Sequence, residues 1–106
     1  MRSRYSAYAL GLLDYVMATT HPDGDRYDAD TTAWRRGLQR FSELTSFDDL
    51  HILDAPEAAD GEGTVTFRAI LTQDGVDASF AERSLFKQRD GKWLYFSGTR
   101  LEEENQ

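Results

Sequence analysis

Residues 74–91 read DGVDASFAERSLFKQRDG, with an Asp-Gly pair at each end. Asp-Gly supplies the positive backbone angles that tight hairpin turns require, so the run between the pairs is a strand with a reversal on either side. Side chains alternate between the two faces of a strand. Val76, Ala78, Phe80, Glu82, Ser84 and Phe86 therefore share one face, and Asp77, Ser79, Ala81, Arg83, Leu85 and Lys87 share the other. The first set is the apolar one and turns inward. It takes Glu82 into the middle of an apolar face, where an ionised carboxylate is costly unless it is paired or stays protonated. A β-bulge in this strand would invert the parity and turn Glu82 outward.

The same turn chemistry divides residues beyond Phe41 into four strands, about 45–56, 63–73, 76–89 and 92–100, with Asp60-Gly61-Glu62-Gly63 as a loose loop between the first two. Consecutive hairpins make an antiparallel meander, and strands of this length bend rather than stay flat. Before Phe41 the period is helical. Tyr5, Tyr8, Ala9, Leu12 and Val16 recur at steps of three and four, which predicts one apolar face. Gly11 interrupts the run, so either one rod or two short helices meeting at a bend satisfies the pattern. Pro22 ends it, since the residue before a proline disfavours helix. A polar loop follows over 23–28. A further helix is predicted from an N-cap at Asp30 or Thr31, carrying Trp34, Leu38 and Phe41 inward. The sum is an α+β domain, with N-terminal helices packed in the concave face of a curved four-stranded antiparallel sheet. Such a cone is open at one end and suits a pocket. One domain over 1–101 and an acidic C-terminal tail over 102–106 are expected.

Composition excludes several functions. The 106 residues hold 12 Lys plus Arg against 19 Asp plus Glu, a net charge of −7, and no Cys. A disulfide framework and a thiolate zinc site are impossible. An acidic chain is a poor electrostatic match for nucleic acid or an anionic membrane, and Arg35-Arg36 is too small a basic patch to reverse that. No apolar run approaches the ~20 residues of a membrane-spanning helix, and no signal peptide precedes the first helix, so a soluble, cytoplasmic chain is expected. Asp23, Asp25, Asp28 and Asp30 suggest calcium, but an EF-hand loop needs Gly at its sixth position and Glu at its twelfth, where Asp28 and Trp34 stand. Gly61 and Gly63 lack the third glycine of a dinucleotide fingerprint, and there is no Gly-x-Ser-x-Gly elbow. His21 and His51 lack paired metal-ligand spacing. His21 reads as a helix terminus, where a cation is favoured. His51, just after Asp48 and Asp49, is either half of a His–Asp dyad or an exposed strand residue. Neither metal nor cofactor is expected.

The buried acid is therefore the centre of interest. Arg2 and Arg4 lie on the first helix, beneath the predicted sheet, and Arg pairs bidentately with carboxylates. Tyr5, Tyr8 and Tyr15 offer hydroxyls. Two readings follow. In one, an Arg–Glu pair fastens helix to sheet, plugs part of the pocket and leaves a non-catalytic binding or assembly module. In the other, Glu82 or His51 is the general base of a small-molecule enzyme of hydro-lyase or isomerase type, with Tyr8 or Tyr95 donating to a developing oxyanion. The first predicts both Glu82 oxygens occupied and no open cavity; the second predicts an unpaired Glu82 on a cavity of a few hundred Å3. The candidate binding set is Arg2, Arg4, Tyr5, Tyr8, Trp34, Glu82, Ser84 and Tyr95. Both faces of the last strand are apolar, Trp93 and Tyr95 on one and Leu94 and Phe96 on the other, and Ile70 and Leu85 also fall outside. These predict a homodimer through the outer sheet face, or a well-capped monomer.

The opening run Met1-Arg2-Ser3-Arg4-Tyr5-Ser6-Ala7-Tyr8-Ala9-Leu10, then Asp14-Tyr15 and Ala18-Thr19-Thr20-His21-Pro22, resembles the YchJ family of bacterial proteins. Trp34, Gly63-Thr64-Val65-Thr66-Phe67-Arg68-Ala69, Glu82-Arg83-Ser84-Leu85-Phe86 and Gly91-Lys92-Trp93-Leu94-Tyr95 continue the likeness along nearly the whole chain. The resemblance implies a fold like nuclear transport factor two, the cystatin-like cone. It names no reaction. It also implies flanking Cys-rich SEC-C segments, which this chain does not contain, so it is read either as the central domain or as a short form, and zinc binding does not carry over. Family members often have His before Glu-Arg-Ser and a basic residue after it; here those positions hold Ala81 and Leu85.

Overall fold

The computed structural model describes residues 1–101, and the expected tail at 102–106 lies outside the described residues. The N-terminal apolar run is two helices, α1 (Arg2–Leu10) and α2 (Leu13–Ala18), joined at a bend. Gly11 makes the bend: its φ of 72° lets Leu12 N–H turn back to the Ala7 carbonyl at 2.8 Å. The bend resets the helical phase. Val16 is buried as expected, whereas Ala9 and Leu12, expected inward, are exposed, and Ala7 and Leu13 are buried instead. Helix α3 (Thr31–Leu44) starts where Asp30 accepts the Ala33 N–H at 3.1 Å.

Helix α3 runs without a loop into β1 (Thr45–Asp54), followed by β2 (Glu62–Gln73), β3 (Val76–Asp77), β4 (Phe80–Arg89) and β5 (Lys92–Leu101). The sheet is antiparallel in the order β1-β2-β4-β5, with β3 paired to β2. The expected third strand is thus divided in two. The Ser79 hydroxyl takes the Leu71 N–H at 3.0 Å and Asp77 takes the Ser79 N–H at 2.9 Å, so side chains interrupt the ladder here, while Ala78 N–H still donates to the Leu71 carbonyl at 2.9 Å. Register is the same on both sides of the break, so parity survives it. Val76, expected inward, is exposed because the hairpin tip extends past the helices. Asp60-Gly61, expected as a loose loop, is a tight turn in which Ala59 and Glu62 exchange both backbone hydrogen bonds at 3.0 Å. Positive φ at both central residues, 55° and 74°, marks the same turn as at Asp74-Gly75 and Asp90-Gly91.

Two irregularities in β1, at Phe47/Asp49 and Ile52/Asp54, and one opposite Leu85/Phe86 curve the sheet around the helices. Leu50, Phe67, Ala69 and Leu71 form the buried centre, with Tyr5, Phe41, Phe47 and Phe80 packed on them. The free edge of β5 is covered by the segment after α2: Tyr95 N–H meets Thr19 O, His21 N–H meets Tyr95 O and Asp25 N–H meets Phe96 O, at 2.8–3.0 Å. A side chain on Gly24 would strike the Phe96 backbone, so only glycine permits this approach. No helix among the described residues is long and apolar enough to cross a membrane.

Candidate functional site

Glu82 sits on β4, on the face alternation assigns to it, and is 5% exposed. Its Oε2 accepts hydrogen bonds from the Ser84 hydroxyl at 2.8 Å and the Tyr95 hydroxyl at 2.9 Å. Ser84 is two residues along the same strand and fully buried. Tyr95 comes from β5. The irregularity at Phe96 then shifts the parity of β5, so that Gly98 faces Ser84 and Arg100 faces Glu82. Simple alternation from Tyr95 would have placed Ser97 and Thr99 there. A Cβ on Gly98 would overlap both the Glu82 carboxylate and the Tyr95 hydroxyl, so the missing side chain makes the room that this pair occupies.

The expected direct Arg–Glu82 pair is absent: among the described residues no ion pair joins Glu82 to an arginine. Arg2 is exposed and lies off the cavity. Arg4 is 6% exposed, but its Nη1 donates to the Val16 carbonyl (3.2 Å), Thr19 Oγ1 (2.7 Å) and Thr20 Oγ1 (3.3 Å). Its guanidinium rests over the Tyr95 ring, 4.8 Å from the centroid. The end of α2 thus captures the donors that Glu82 was expected to take, and cation and carboxylate meet opposite parts of one tyrosine. Tyr5 donates to the Asp49 carbonyl at 2.8 Å, while Tyr15 binds Ser3 away from Glu82. Trp34 packs edge-on against Tyr27 and does not reach the cavity. His51 is exposed on β1, bonded to Asp49 at 2.9 Å, and lies off the cavity. His21, read as a charged helix terminus, is buried, and its Nδ1 accepts the Asp23 N–H at 3.0 Å.

Beside Glu82 is a cavity of about 300 Å3. Its walls are the rings of Tyr5, Tyr8, Phe41, Phe47, Phe67 and Phe80, with Leu38, Ala69 and Leu71. Its polar lining is Glu82, Tyr95 and three arginines, Arg4, Arg26 and Arg100. Arg26 and Arg100 escape the sequence reading. Arg26 is placed by the segment pinned to the β5 edge, and Arg100 by the irregularity at Phe96; neither event has a signature in periodicity. Among the described residues no group of three His, Cys, Asp or Glu could hold a metal. Ala81 and Leu85, where the YchJ resemblance points to His and a basic residue, belong to the opposite face, so those departures do not alter the cavity.

Burial pushes the Tyr95 phenol well above its ordinary value, and the Glu82 charge adds to it. Tyr95 therefore remains a hydrogen-bond donor. Burial lowers Arg4 from its ordinary value. Burial opposes the charge of Arg26 too, but the oxygens of Tyr95 and Glu82 and neighbouring Asp25 outweigh it, and its pKa stands raised. The raised phenol makes alkaline stability testable. Its contribution is full below the ordinary phenol value of 10.0 and is lost as pH rises beyond it, where the unfolded chain releases the proton first. Urea midpoints measured between about pH 8 and pH 11 fall steeply, and Tyr95→Phe flattens the fall to the part supplied by Tyr5, which burial also raises. Glu82→Gln keeps the shape and both hydroxyl donors but loses their charge-assisted character, at a cost of about 1 kcal/mol in the same assay.

A family model described as YchJ, middle NTF2-like domain, matches residues 1–98. The chain belongs to this family. The YchJ middle domain here is 36% identical over its full length to a UPF0225 protein of Vibrio parahaemolyticus, and 40% identical over 92% of its length to one of Chromobacterium violaceum, of which it covers 69%. It spans about three fifths of the length of the Vibrio relatives. The solution structure of a SEC-C motif containing protein from Rhodopseudomonas palustris superposes with a TM-score of 0.80 at 34% identity, covering 96% of this chain and 76% of that one. A protein with a cystatin-like fold from Caulobacter vibrioides shares the fold at a TM-score of 0.63 and 16% identity, covering 92% of this chain and 82% of its own. The cone of helices and curved sheet is thus the NTF2-like architecture.

Proposed function

We propose that this YchJ middle domain is a non-catalytic binding module whose cavity takes a small, largely apolar molecule. The cavity is open, against the expectation of the plugged module, and the hydroxyl donors meet Oε2 alone rather than both oxygens; what supports a binding module is an aromatic-walled hollow of about 300 Å3 whose carboxylate, among the described residues, is tied to Ser84 and Tyr95. A hydro-lyase or isomerase needs a base free to take a proton and a partner to return it. No histidine lines the cavity among the described residues, and Glu82 is its sole carboxylate. Thermal-shift and NMR titration with small acids, alcohols and ketones test this. At least one class stabilises the protein without being turned over, and Glu82→Gln still binds it. Turnover abolished by Glu82→Gln moves the assignment to an enzyme; no shift with any class removes the binding reading.

The dimer surface is proposed on the outer sheet face, where Ile70, Leu85 and Leu94 lie half-buried among Arg83 and Lys87. Sedimentation velocity at micromolar concentration reads it directly: a monomer there removes the dimer and leaves the cavity proposal intact.

A further inference from the structure

We infer that the occupant of the cavity is an amphiphilic monoanion, an apolar chain or ring ending in a carboxylate or comparable singly charged acid, with the anion held at the mouth by Arg26 and Arg100. This rests on the cavity being a binding site and adds the class of ligand.

The lining marks its own entrance. Among the described residues around the cavity only Arg26 and Arg100 are exposed; every other one is buried or half-buried. Whatever enters passes two guanidinium groups and then meets rings. Among the described residues the lining holds three arginines against one glutamate, in a chain whose net charge is −7, so the local sign is opposite to the global one. Structural duties account for Arg4, which is committed to Val16, Thr19 and Thr20. They account for Arg26 in part, through Tyr95, and leave Arg100 without a carboxylate partner among the described residues. The Arg100 guanidinium carbon sits over the Phe80 ring, 4.0 Å from its centroid, and no ion pair is formed by it among the described residues. Arg26 is drawn inward by the Tyr95 and Glu82 oxygens, and its one ion pair among the described residues, with its sequence neighbour Asp25 at 3.8 Å, is largely exposed and of little strength. A guanidinium held against an aromatic face keeps its in-plane donors directed sideways, ready for an acid group.

Glu82 restricts the choice further. Its carboxylate lies buried on the same cavity, so a second negative charge on the ligand would be brought toward a like charge in a poorly screened place. One negative charge at the mouth satisfies the arginines, and an apolar remainder satisfies Phe41, Phe47, Phe67 and Phe80. An ammonium group in the same position would face the two arginines.

The experiment compares three probes of equal chain length, octanoate, 1-octanol and octylamine, by calorimetric titration at neutral pH and low salt. Octanoate binds about tenfold more tightly than 1-octanol, and octylamine more weakly than either. Arg26→Gln and Arg100→Gln each reduce the octanoate advantage several-fold, and together they abolish it, so that octanoate and 1-octanol bind alike in the double variant. Both positions are exposed, so the fold is not at stake. Equal binding of octanoate and 1-octanol, tighter binding of octylamine, or variants that keep the full octanoate advantage overturn the anion inference and leave the cavity reading standing. Failure of all three probes to bind overturns both.

Discussion

Gly98→Ala lowers the stability of this domain by about 3 kcal/mol, a fall in Tm of about 15 °C. The position is an ordinary strand residue whose backbone any amino acid could adopt, so the loss does not arise from backbone strain. It arises from space. The new methyl group falls where the Glu82 Oε2 and the Tyr95 hydroxyl already sit. Neither can withdraw cheaply: Glu82 is held by Ser84 and Tyr95, and Tyr95 lies under Arg4 and edge-on to Phe86 at 5.7 Å. Moving them leaves a buried carboxylate short of donors, which is among the costlier events in a core. Tyr95→Phe removes one of the two struck atoms, so Gly98→Ala and Tyr95→Phe combined cost less than the sum of their separate effects. Thermal denaturation of the two single variants and the double variant checks this, and a Gly98→Ala protein as stable as the parent would show that the pair is not packed against β5 as described.

Arg4→Met costs about 3 kcal/mol in the native background and somewhat less when Glu82→Gln is already present. Two losses are combined in the first figure. The charged donors to Val16, Thr19 and Thr20 tie α1 to the end of α2, and the Arg4 charge partly offsets Glu82 across the Tyr95 ring. Removing the Glu82 charge first eliminates the second loss and leaves the first. Arg4→Lys restores little, because a compact ammonium at one point cannot both reach the threonine hydroxyls and cover the ring as a planar guanidinium does. Denaturation of the four proteins of the cycle yields the coupling. Strict additivity would mean that Arg4 and Glu82 ignore each other. The amides of Tyr95 and His21, whose hydrogen bonds hold the edge of β5, exchange faster in Arg4→Met, since the anchor of that segment is gone.

Residues 74–91 illustrate how far the primary structure reaches. Two Asp-Gly pairs and one alternation were enough to give the strand, its inward face and a buried Glu82, because turn chemistry and side-chain period are local properties. The α+β cone followed, as did the YchJ resemblance that the family match establishes. Local rules failed where a single residue shifts phase. Gly11 moved the inward position from Leu12 to Leu13, and the extra residue at Phe96 brought Gly98 and Arg100 to the face that alternation assigns to Ser97 and Thr99.

Sequence alone thus determined the element order, the curvature and the presence of one acid in an apolar face. Tertiary structure decided what that acid touches. An arginine with five donors goes to whichever acceptors lie nearest in space, and for Arg4 these are the oxygens at the end of α2 rather than Glu82. Residues far apart in the chain, Arg26 on a pinned segment and Arg100 past a bulge, meet at the cavity only because the β5 edge and the parity of that strand are set by packing, which no one-dimensional period records.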